Sequence, residues 1–173
     1  MTETDATFEA SLDELGVSVT RTAASEVGAA LDEAVREPAV GVAPEDEFTE
    51  TSLPFTEAGV ELDPTPAALD EARTGVSTAD LGVADYGSLV LTQTDRGSEL
   101  VTLFVEHHVV LVHEADIAPD MDTAVETLEA TLNRTRGSVI LATGPSATAD
   151  MGALVRGAHG PESVHVIVIE EGT

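Results

Sequence analysis

Cysteine and tryptophan are absent from the 173 residues, and so is lysine: all seven basic side chains are arginine. Aromatic residues make up only 3% of the chain. Without cysteine the chain forms no disulfide, offers no thiolate nucleophile and ligates no iron–sulfur cluster with its own sulfur. Without lysine it is neither a phosphate-loop NTPase nor a pyridoxal enzyme with its Schiff base. Seven cations stand against 33 carboxylates, a net charge of -26. That balance excludes a nucleic-acid backbone as partner, since affinity there comes from many cationic contacts. No apolar run approaches the roughly 18 to 20 residues that a membrane-spanning helix needs. The opening Met1-Thr-Glu-Thr-Asp-Ala6 is acidic where a secretory signal is basic, and no apolar segment follows it. A soluble, cytoplasmic protein is expected.

What is present is enough for one domain. Hydrophobic residues are 42% of the chain, so the core is built of Ala, Val and Leu. The acids are dispersed, the densest run being Glu45-Asp46-Glu47, and apolar segments lie between them. Those segments argue against disorder. A carboxylate-coated surface stripped of lysine suits a high-salt cytoplasm, where ions screen its self-repulsion. The alternative is an acidic face for a basic partner.

The pattern along the chain alternates strands and helices. Phe8 to Leu15 reads as a short helix and Val17 to Thr20 as a strand. Ser25 is placed to cap a helix carrying Val27, Ala30, Leu31 and Ala34, which Pro38 ends. Ala39 to Val42 is a short buried strand, 43–57 a loop, Val60 to Leu62 a strand, and Pro66 starts a helix to Arg73. Ser88 to Thr92, Leu100 to Val105 and Val109 to His113 are β-rich. Met121, Ala124, Val125, Leu128 and Leu132 form the apolar stripe of a helix over 120–135, with Gly137 as its C-cap. Ser138 to Ala142 reads as a central apolar strand, followed by a loop, a short helix to about Val155, a tight loop and a final strand, Val164 to Ile169. That order predicts a βαβ unit with a parallel strand pair. The expected fold is α/β, a three-layer, Rossmann-like and mostly parallel sheet, in one domain over 1–173 without repeat or linker.

Four places could carry chemistry. The Thr143–Asp150 loop, at the carboxyl end of its strand, is expected to bind a small anion. Gly144 and Pro145 shape the approach, Ser146 and Thr148 offer hydroxyls and a helix start, and Asp150 closes the loop. A plain helix cap without ligand is the alternative. His159 and Gly160 lie in a tight Gly-Ala-His-Gly-Pro loop, where the imidazole either serves acid–base work or is simply exposed. Of Glu106-His107-His108, adjacent strand residues face opposite sides, so the two histidines cannot share a metal. His113 lies on the face of His107 but about 20 Å along the strand. His107 is the one taken toward the ligand, against a structural strand-end histidine. Asp85 and Ser88 flank a glycine turn and either hold a substrate hydroxyl or make an ordinary turn.

Four stretches together resemble the LUD-domain family, the lactate-utilization protein C group. They are Ala79–Leu91, Phe104–Val112 with its paired histidines, Thr143–Asp150 with Gly-Pro-Ser-x-Thr-Ala-Asp, and Gly157–Pro161 with its following strand. The resemblance covers 75–170, and 1–74 follow only in element order. Ala147 stands where the family usually carries a basic residue, and Asp85-Tyr-Gly-Ser88 replaces an acidic–Thr–Gly–Thr segment. The resemblance implies a fold like the sugar-phosphate isomerase, CoA-transferase and formyltetrahydrofolate cyclo-ligase group. It also implies a subunit or accessory role in an iron–sulfur-dependent system oxidising lactate to pyruvate; a small anionic ligand at the Gly144 loop and a possible homo-oligomer are expected beside it. No cofactor or metal is then expected in this chain, and the clusters belong to partner proteins. Two rivals remain: a free-standing transferase, isomerase or ligase of the same fold group, and a non-catalytic ligand-sensing or assembly module.

Overall fold

A computed structural model describes residues 2–42, 53–92, 97–135, 138–150 and 153–170. In chain order the elements are α1 (Glu3–Glu14), β1 (Ser18–Ala23), α2 (Val27–Ala34), β2 (Ala39–Gly41), β3 (Val60–Leu62), α3 (Pro66–Glu71), β4 (Thr74–Thr78), β5 (Leu81–Val83), β6 (Ser88–Thr92), α4 (Ser98–Leu103), β7 (His107–His113), β8 (Ile117–Ala118), α5 (Met121–Thr135), β9 (Val139–Thr143), β10 (Ala147–Asp150), β11 (Ala153–Arg156) and β12 (Ser163–Glu170).

The two most apolar strands, β7 and β12, pair in parallel at the centre of a six-stranded sheet ordered β1-β12-β7-β4-β2-β3. Every pairing in it is parallel. Fully apolar strands require cover on both faces, and alternation sends successive side chains to different layers. Val109, Leu111, Ile167 and Ile169 meet Val27 and Leu31 of α2 on one side. Val110, Val112, Val166 and Val168 meet Phe8 and Leu12 of α1 and Leu89 and Leu91 of β6 on the other. That second side is a four-stranded mixed sheet, β8-β5-β6-β9, as well as a helix. Ala124 and Leu128 of α5 cover its outer surface over Leu81, Val83 and Val90. The result is a three-layer α/β fold around a mostly parallel central sheet, as expected.

Local chemistry sets several ends. Thr2 and Asp5 cap α1 reciprocally, and Thr65 with Pro66 starts α3. Ser25 lies in a 3-10 turn, Ala24–Glu26, which precedes α2 without a side-chain cap.

Three expectations are corrected. Leu100 to Val105 is not a strand. Residues 98–103 form α4, whose Val101, with Val105 just beyond, is buried against Val40 and Val42, a spacing of four that suits a helix. β9 is neither central nor partnered with β12: it is the edge of the second sheet, antiparallel to β6, and half-exposed. The helix expected after it does not exist, and β10 and β11 form an antiparallel hairpin there. Thr148 pairs with Val155 across that hairpin, an arrangement that residues of modest helix preference adopt readily. Gly137 and most of the 43–57 loop lie outside the described residues.

Candidate functional site

The covering layer leaves a gap at the amino-terminal end of β7 and β12, between the two sheets. A cavity of about 230 Å³ opens there. Its walls are mainly apolar, among them Leu12, Val17, Leu89, Leu91 and Ile140. Two segments form its rim: Thr143 to Ser146, leaving β9, and His159 to Pro161, entering β12. Thr102 and Leu103 of α4 close another side. Next to it lies a shallower groove of about 500 Å³, bounded by exposed Phe104, Glu106, His159 and Glu162.

The two rim segments are joined through Ser146. Its N–H donates to Pro161 O at 2.9 Å, its carbonyl accepts from Gly157 N at 3.1 Å, and its Oγ accepts from His159 N at 3.3 Å. The two loops are thus brought together by a hairpin folding back, with no helix between them. Gly144 has φ +67, and a Cβ there would sit 3.1 Å from Leu15 Cβ. Its small size serves a left-handed turn against the end of α1, and Gly144→Val is therefore expected to strain the fold itself.

The helix start expected to hold an anion at the Thr143–Asp150 loop is not formed. No helix N-terminus stands behind that loop, Pro145 has no N–H, and the Ser146 N–H is bonded to Pro161. Thr148 is on β10, outside the cavity lining. The side chain of Asp150 lies outside the described residues. Asp85 is exposed in the β5–β6 turn. Ser88 is buried, its Oγ 2.7 Å from Thr143 Oγ1, and so it anchors β9 beside the rim without facing the cavity.

The paired histidines divide between the faces. His107, expected toward the ligand, lies on the α2 face with Nδ1 2.7 Å from Ser163 Oγ. Burial lowers its pKa, and Arg36 and His165 act the same way. His165 nearby is held by Ser18 Oγ at 2.7 Å and Thr20 Oγ1 at 3.0 Å. It is His108 that borders the cavity, only 2% exposed, with Nε2 2.8 Å from Ser77 Oγ. Burial pushes its pKa down to about 3, so the ring is neutral near pH 7. The alternation in the sequence required one histidine per face but carried no mark of which face held the cavity.

No arginine among the described residues lines the cavity. Among the described residues, no group of three or more His, Asp or Glu is placed to hold a metal ion, and no helix is long and apolar enough to cross a membrane. Chemically the site is an apolar chamber with a neutral imidazole inside and hydroxyl, imidazole and peptide groups at its mouth.

Fold and site together define a three-layer α/β protein with a small cavity between its two sheets. The chain belongs to the LUD-domain family, whose model matches residues 6–169. Over 105 residues it is 30% identical to lactate utilization protein C of Deinococcus radiodurans, covering 60% of this chain. It spans about half of that relative, 49% of its length. The crystal structure of a DUF162-family protein from Deinococcus radiodurans shares the fold, with a TM-score of 0.76 over 96% of each chain at 23% identity.

Proposed function

We propose that this chain is a cytoplasmic LUD-domain component of a lactate-utilising system, and that its inter-sheet cavity binds a small organic acid. The observation that carries the ligand reading is the cavity rimmed by Ser146 and His159. Its apolar walls, with no arginine among the described lining residues, favour the carbon frame inside and the carboxylate at the wet mouth, because an unpaired buried charge is costly. The lactate assignment is supported by family membership and by the name of the relative. With no cysteine in the chain, iron–sulfur chemistry resides in partner proteins. The acidic, lysine-free surface fits a high-salt cytoplasm, so the melting temperature rises from dilute buffer to molar KCl.

Calorimetric titration of the isolated chain with lactate, pyruvate, a sugar phosphate and a CoA ester tests this. Binding of lactate or pyruvate without turnover is expected. Exclusive binding of the phosphate or the CoA ester, with turnover, would establish the free-standing enzyme instead.

A further inference from the structure

His108 is buried and borders the cavity, yet among the described residues only one of its ring nitrogens has a hydrogen-bond partner. Nε2 meets Ser77 Oγ at 2.8 Å, whereas Nδ1 has no hydrogen-bond partner among the described residues. Buried polar atoms are nearly always satisfied, and leaving one orphaned destabilises the protein. The ring is not needed to fill the core, since its neighbours on this face of the sheet, Val110 and Val112, do so without polar atoms. An imidazole retained there with one free nitrogen is therefore suited to meeting something that enters the cavity.

We infer that His108 Nδ1 is the recognition point for an uncharged oxygen, a hydroxyl or carbonyl, on a small aliphatic acid whose carboxylate stays at the Ser146–His159 mouth. The inference deepens the proposed function and rests on it. Three observations set the chemistry. A neutral imidazole, and no arginine among the described lining residues, make the interior a poor place for a carboxylate or phosphate. A hydroxyl both donates and accepts, so it satisfies Nδ1 in either tautomer. The volume of 230 Å³ equals roughly eight waters at ~30 Å³ each. That is room for an aliphatic acid with a tail longer than one methyl group, and too little to enclose a nucleotide or CoA ester.

The test uses matched pairs that differ by one oxygen: lactate against propionate, and 2-hydroxy-4-methylpentanoate against 4-methylpentanoate. In the wild type each hydroxy acid should bind at least about fivefold more tightly than its partner, the selectivity expected when a buried polar atom is left unpaired. In His108→Phe the selectivity should fall below about twofold while the deoxy acids bind as before. A second measurement needs no variant. In protein labelled with ¹⁵N-histidine, the His108 Nδ1 resonance should move on saturation with the hydroxy acid while Nε2, held by Ser77, stays. Equal binding within each pair, or a stationary Nδ1 at saturation, overturns the inference and leaves the cavity as the ligand site. Failure of all four acids to bind overturns both.

Discussion

The two ends of the central sheet are built from the same parallel strands and treated in opposite ways. At the carboxyl-terminal end, Arg21 of β1 reaches Glu9 of α1 at 3.3 Å, Glu170 of β12 at 3.1 Å, and Glu114 just after β7. Asp5 lies close enough to feel the same cation. Open α/β sheets commonly place ligands at this end, but here its space is given to a cation shared among carboxylates. At the amino-terminal end, by contrast, the covering sheet and α4 leave a chamber over His108 and Val164. The candidate site thus follows from where the covering layer leaves a gap and which end the protein's own charges occupy, and strand direction alone does not locate it.

Four changes sharpen this contrast. The largest effect is expected from Gly75→Val on β4, because a Cβ there would lie 2.0 Å from the Val101 carbonyl oxygen of α4. Backbone cannot yield cheaply, so α4 must lift from the amino-terminal end. Denaturant unfolding should show a loss of about 3 kcal/mol or more. Arg21→Ala acts on the opposite end. It leaves Glu9, Glu114 and Glu170 facing one another around a side chain that was 17% exposed. A loss of about 2 to 3 kcal/mol in dilute buffer is expected, smaller in molar KCl, with lactate affinity unchanged.

The third concerns pH. His108 titrates near 6.5 when unfolded and at about 3 when folded, so the unfolded state takes up the proton first. Stability is therefore present above pH 6.5 and declines as pH falls below it, by about 1.4 kcal/mol per unit for one histidine. Between pH 6.5 and 5 this amounts to about 2 kcal/mol. The lowered pKa values of His107 and His165 act in the same direction. Unfolding midpoints of wild type and His108→Phe across this range should show a shallower slope for the variant. The smallest effect belongs to Ser146→Ala, which removes one of three ties across the rim, the 3.3 Å bond from His159 N. Binding should weaken by about 0.5 to 1.5 kcal/mol in calorimetry, with the fold intact because both backbone ties survive.

Most elements were legible in the sequence, short ones such as Val60–Leu62 and Ser88–Thr92 included, but residues 98–103 and 147–156 were not. β7, β12, α2 and α5 announced themselves through apolar runs or stripes that packing then used. Residues 147–156 did not. Ala-Thr-Ala-Asp and Ala-Leu-Val-Arg lack a period long enough to separate helix from strand, and a hairpin supplied what a short helix was expected to supply. α4 was misjudged for the same reason, although Val101 and Val105 already stood one helical turn apart. At the site, the two glycine loops were visible in the sequence, but their meeting through Ser146 was not, because it depends on the β10–β11 hairpin. The choice of His108 over His107 depended on which face the second sheet covers, a tertiary fact that no local pattern encodes.

The most direct measurement is an amide ¹H–¹⁵N titration of the chain with lactate. The account predicts shifts concentrated at residues 144, 146, 159, 160 and 108, with residues 20–23, 113–114 and 170 unmoved. Shifts concentrated around Arg21 and Glu170 would place the ligand at the carboxyl-terminal end and contradict it.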